Sequence, residues 1–128
     1  MNWSAIAAVF LALAVGLGAF GAHGLKARLD PNHLDIYKTA VLYHFLHALG
    51  LLMVSVLPKT GTISAEAANS VCWLLVAGIL IFSGSLYVLA TTGLRWLGAI
   101  TPIGGVAMIA AWVALAVAAG SYQTRAGS

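Results

Sequence analysis

Residues 67–90 read AANSVCWLLVAGILIFSGSLYVLA, a run without one charged side chain. As an α-helix it is long enough to cross a hydrocarbon core, which takes about 20 apolar residues. Three more runs of this kind lie around it. One covers about 3–22, one about 36–57 (starting at Ile36 or Thr39) and one about 97–121. Each can cross once. The chain therefore reads as all-α: an integral membrane bundle of four transmembrane helices, forming a single domain over residues 1–128. The links between runs are short, so sequential helices should lie antiparallel as neighbours.

Composition agrees. Hydrophobic residues make up 62% of the 128 positions and charged residues 7%, against roughly 25% charged in soluble domains. A chain this short could not hide so much apolar surface in a globular core, so membrane lipid is its expected surrounding. The net charge is +3 and the pI near 9.4. A nucleic-acid binder would cluster its basic residues on one face; here they are scattered and flank the apolar runs, as membrane-border residues do. No nucleic-acid partner is expected. Cys72 is the single cysteine, so neither an intrachain disulfide nor a cysteine metal site can form. Its apolar neighbours mark it as an inert thiol.

The first run lacks the positive n-region of a secretory signal peptide and is expected to stay as a helix. The first link carries Lys26, Arg28, Asp30 and Asp35, and Pro31 with Asn32 should interrupt any continuous helix there. The second link follows Pro58, with Ser64 placed to cap the third helix. Links one and three, counting Lys38, hold Lys26, Arg28, Lys38 and Arg95; the opposite side holds Lys59 and Arg125. The positive-inside rule then places both chain ends outside the cytoplasm. Gly24-Leu25-Lys26 and Gly93-Leu94-Arg95 read as two equivalent helix stops, each a left-handed glycine followed by a cation at the negative end of the helix dipole.

Lipid is as apolar as leucine, so helices must associate by close packing and hydrogen bonds. Small residues recur on helix one at Ala5, Ala8, Ala12, Gly16 and Ala19, and on helix three at Ser70, Ala77, Gly84 and Thr91. On helix four Gly98 and Gly105 lie one heptad apart, with Thr101 between. Gly16, Gly84, Gly98 and Gly105 are the expected packing glycines, serving either the bundle or a homo-oligomer. Pro102 is expected to kink a fourth helix that starts near Leu97; the alternative is a helix capped by Thr101 with Pro102 in its first position.

Helix two carries the unusual chemistry. Tyr37, His44 and His47 share one face, and Tyr43 lies one turn before His47. An ionisable group inside a span is a functional candidate. The plainer reading is that neutral His47 bonds a group on a neighbouring helix, with Ser83, Ser85, Tyr87 and Thr101 as candidates. His44 and His47 lack the further ligands of a closed metal site, no acidic residue lies within a span, and no metal or other cofactor is expected. His23 is a candidate at the membrane face, or simply a helix-end histidine beside the dipole. His33 reads as solvated. No serine has an acid–base partner at evident spacing and the glycine pairs lack a phosphate-cradle setting, so no catalytic residue is assigned and the chain is not expected to be an enzyme.

Several segments follow one another in a familiar order: Gly18-Ala19-Phe20-Gly21-Ala22-His23, Tyr43 with His47, Phe82-Ser83-Gly84-Ser85-Leu86-Tyr87 and Thr101-Pro102-Ile103-Gly104-Gly105. With these the chain resembles the YgdD/YwdK family of small four-helix bacterial inner-membrane proteins, a domain of unknown function with related eukaryotic small transmembrane proteins. The resemblance covers nearly the whole chain. It implies a multi-pass protein of the bacterial inner (plasma) membrane and leaves activity open. It marks His23, Tyr43, His47, Ser83, Gly84, Ser85, Tyr87, Thr101, Pro102 and Gly105 as motif positions. His44 departs from the pattern, which has glutamine in at least one relative, so His47 stands as the better candidate. The leading expectation is a structural or accessory membrane component that associates with itself or with a larger membrane complex. The alternative is intramembrane ligand or ion binding or transport around His47; an enzyme acting on lipid or quinone is a weaker third.

Overall fold

The structure is a computed structural model that describes residues 1–127. Four helical spans run Trp3–Leu25, Pro31–Thr60, Ala65–Thr92 and Arg95–Arg125, each long and apolar enough to cross a membrane. Among the described residues there is no strand.

Local chemistry sets the ends. The Asn2 side chain accepts from the Ala5 amide at 3.0 Å and caps the first span. Asp30 caps the second, accepting from the His33 amide at 2.8 Å, and Pro31 takes the first helical position. Proline suits that position, where its missing N–H would have no partner anyway. The expected interruption between the first two runs falls at residues 26–30, and the second span begins at Pro31, ahead of the expected Ile36 or Thr39. Ser64 caps the third span as anticipated, accepting from Ala67 at 3.1 Å. That span ends at Gly93, whose φ of 74° is the left-handed stop expected there.

Two expectations at helix ends are corrected. The first span closes in a π-helical turn, Gly21–Leu25, and Gly24 is not among the glycines with positive φ, so its end is unlike that of the third. In the fourth span a 3₁₀ segment, Arg95–Ala99, precedes an α-helix that begins at Thr101. Pro102 therefore stands in the first α turn and makes no interior kink. Thr101 is not its cap, because its hydroxyl bonds Ser85 and the Leu97 carbonyl.

The buried stripes alternate three and four residues. On the second span they are Tyr37, Ala40, His44, His47, Leu51 and Val54; on the fourth, Leu97, Thr101, Gly104, Met108 and Ala111. That 3.5-residue period is the seam of left-handed helix packing. The second and third spans form the centre, the first packs on the second and the fourth on the third. The first span meets its neighbour through Ala7, Ala14 and Gly21.

The closest approaches fall on glycines other than those singled out from spacing. A Cβ on Gly104 would run into the Phe82 backbone, and one on Gly78 would sit 2.6 Å from Met108 Cγ. Gly21 and Gly50 give room to the rings of Tyr37 and Trp112. Within the chain, Gly16, Gly84 and Gly98 face open space, and Gly105 makes only ordinary contact with the Phe82 ring at 3.7 Å. In an alanine- and glycine-rich helix several faces show small residues at this spacing, so spacing alone does not select the packed one.

Candidate functional site

The second-span stripe carries two histidines into the bundle, and they meet different partners. His44 is 4% exposed, and its Nδ1 pairs with the Tyr87 hydroxyl of the third span at 2.8 Å. The Phe10 ring of the first span stands edge-on to it at 6.0 Å. His44 Nε2 is buried without a hydrogen bond among the described residues. Three spans thus converge on His44, the residue that the family resemblance had set aside.

His47 stays within its own helix. Its Nδ1 lies 2.8 Å from the Tyr43 carbonyl. A carbonyl can only accept, so in the neutral ring Nδ1 carries the proton. The ring stacks parallel to Tyr43 at 5.9 Å and tilts against Trp112 of the fourth span at 5.8 Å. Its expected bond to Ser83, Ser85, Tyr87 or Thr101 is not formed; His44 makes the histidine link between spans.

The third span supplies two hydroxyls that point to different neighbours. Ser83 donates to the Ala40 carbonyl of the second span at 2.8 Å. Ser85 lies 2.7 Å from the Thr101 hydroxyl of the fourth. Each of that pair also approaches a carbonyl of its own helix, Phe82 at 2.9 Å and Leu97 at 3.1 Å. Each hydroxyl has one proton, so one donates across the interface while the other donates along its helix. A π-helical turn, Ile79–Ser83, contains Ser83 and ends two residues before Ser85. Such a turn shifts the register of the helix beyond it, and here Ser83 serves one interface and Ser85 the other.

Further ties surround this centre. The Tyr37 hydroxyl donates to the Leu17 carbonyl at 2.5 Å, and its ring lies 5.3 Å from that of Tyr87. Ser4 pairs with Ser55 at 2.9 Å. Trp3 Nε1 donates to Asn69 at 3.0 Å, and its ring meets Trp73 edge-on. Trp3 is therefore a tie between the first and third spans. The three-and-four stripe through Tyr37, His44 and Leu51 was the signal in the sequence that would have ranked His44 with His47.

His23 lies exposed in the π-helical turn at the end of the first span. His33 is in the neighbouring link and pairs through Nδ1 with Asp30 at 2.8 Å. The His33 amide, and then its ring, hold the Asp30 carboxyl below its ordinary value. Among the described residues no three His, Cys, Asp or Glu side chains gather as a metal site. The six residues named for an intramembrane site do not share one point: Ser85 and Thr101 bond each other, His47 and Tyr43 stack, Tyr87 holds His44, and Ser83 holds Ala40.

Comparison with known proteins gives one consistent family. The family described as "Protein of unknown function (DUF423)" matches residues 17–105. The UPF0382 membrane protein YwdK of Bacillus subtilis is 49% identical over 119 residues, covering 91% of this chain and 94% of its own. UPF0382 membrane proteins of Staphylococcus haemolyticus and Staphylococcus saprophyticus are 47% and 49% identical, each over 82% of this chain and 84% and 85% of theirs. No solved structure matches.

Proposed function

The chain belongs to the DUF423 family of membrane proteins of unknown function, and we propose that it is a non-enzymatic association module of the bacterial inner membrane. It would act by lending a helix face to a second copy or to a larger membrane complex. The observation that carries this reading is a division of labour. The polar side chains inside the bundle bond within it, to each other or to backbone carbonyls, with His44 Nε2 the exception among the described residues, while Ala5, Ala8, Ala12, Gly16 and Ala19 of the first span lie exposed on its outer side. Small residues at this spacing let a second helix come close enough for dense packing. A lone bundle facing lipid gains nothing from them.

The test is the assembly state of the protein extracted in mild detergent. A dimer, or a larger particle containing other membrane proteins, is expected. A monomer that brings down nothing in gentle pull-downs contradicts the reading. The same proposal places both chain ends outside the cytoplasm, since Lys26, Arg28, Lys38 and Arg95 lie at one end of the bundle and Lys59 and Arg125 at the other. A terminal reporter active only in the cytoplasm should stay dark; if it is bright, that orientation is wrong.

A further inference from the structure

Where the first span ends and the second begins, the two helices leave an open apolar groove of 330 Å³. Its floor is low because the first span contributes Gly18, Gly21 and Ala22 there. Gly21 is covered by the Tyr37 ring, and Val41, Leu42 and Phe45 extend the opposite wall toward mid-membrane. The volume is at the lower end of the range for small-molecule sites. It suits part of one hydrocarbon chain.

One charged residue, Lys38, lines this groove. It is exposed and makes no ion pair among the described residues. It lies two turns into the second span, and the uncharged stretch from Thr39 to Pro58 starts immediately after it. A lysine there keeps its ammonium at headgroup depth while its stem covers apolar surface. Lys26 and Arg28 stand at the same membrane end. The carboxylates near them are Asp35, one turn back from Lys38, and Asp30, which is engaged by His33. Cations therefore outnumber free carboxylates at the mouth.

We propose that this groove is a binding site for one anionic phospholipid, with an acyl chain lying against Gly18 and Ala22 and the phosphate held at Lys38. The occupant is set by the pairing of an apolar trough, open sideways to the bilayer, with the charged residue that lines it, Lys38, which makes no ion pair among the described residues. A zwitterionic lipid would bring a second cation to a mouth already rich in basic residues, and a soluble phosphate would leave the trough unused.

Native mass spectrometry of the full chain, released from membranes and offered phosphatidylglycerol or phosphatidylcholine, tests this. One phosphatidylglycerol should be retained about fivefold better than phosphatidylcholine, the scale of one basic residue acting on an anionic lipid surface. Lys38→Gln should abolish the preference, Lys38→Arg should keep it, and Lys59→Gln at the other end should leave it unchanged. Ala22→Leu, on an exposed position, should lower retention of both lipids by partly filling the trough. Equal retention of the two lipids by the wild type overturns the proposal, as does a preference that survives Lys38→Gln. Displacement by chain-free glycerol phosphate would show that the headgroup alone binds, and would also overturn it.

Discussion

His44 and Tyr87 meet at 2.8 Å from adjacent spans, so the strength of that single bond is open to measurement. Interhelical hydrogen bonds in membranes contribute roughly 0.6 kcal/mol on average and up to about 1.7. A double-mutant cycle of His44→Ala and Tyr87→Phe, read by reversible unfolding in detergent, should give a coupling energy within that span. The same cycle with His47→Ala in place of His44→Ala should give none, because His47 bonds the Tyr43 carbonyl of its own helix. A reversed pair of results would mean that the polar centre is organised around His47 after all. A second residue acts at the membrane surface. The Asp30 carboxyl sits below its ordinary 3.8, chiefly because the His33 amide donates to it. A carboxylate whose pKa folding has lowered stabilises fully above its unfolded value, and loses that contribution as pH falls through the folded value. The start of the second span should therefore fray in acid, below the ordinary 3.8. Amide exchange at His33 that is corrected for intrinsic rate and stays constant across that range would contradict this.

The four spans were legible because each is a long uncharged run, and the caps at Ser64 and Gly93 were legible because those residue types have few other uses at such positions. The break expected at Pro31 is present, since the first span ends at Leu25 and a new helix starts at Pro31; what the sequence left open was that proline would itself open the second span, which the Asp30 cap decides. The π-helical turns at Gly21–Leu25 and Ile79–Ser83 have no composition signal, since they arise from how neighbouring helices fit. The site was half legible. Ser83, Ser85 and Thr101 are buried and Tyr87 half-buried, as polar residues in apolar runs suggest, but their partners depend on the register set by the turn at Ile79–Ser83. The packing glycines show a similar limit: within the chain Gly16, Gly84 and Gly98 meet nothing, which leaves them the oligomer alternative, and the close approaches fall on Gly78 and Gly104. Gly104→Ala should test the observed face. Its Cβ would strike the Phe82 backbone, and overpacking a tight core costs about 1–3 kcal/mol. Gly16→Ala, which meets nothing within 4 Å, should not lower the stability of the isolated chain and can raise it slightly through helix propensity. Equal losses in thermal unfolding would show that the fourth span does not lie where the structure has it.

At the scale of the molecule, the central pair of spans supplies most of the buried residues and the outer pair presents long faces to lipid. The first span shows the contrast most sharply. Ala7 and Ala14, at 0% and 1% exposure, close on the bundle, while Ala5, Ala8, Ala12, Gly16 and Ala19 look away from it. The proposed role rests on that second face finding another helix. Cysteine scanning along the first span, in a Cys72→Ser background and with oxidative crosslinking in native membranes, asks the question directly. The account predicts crosslinked species from Ala8→Cys, Ala12→Cys and Gly16→Cys, and none from Ala7→Cys or Ala14→Cys. If no position crosslinks, or if efficiency shows no helical period, the outer face meets only lipid and the association role is contradicted.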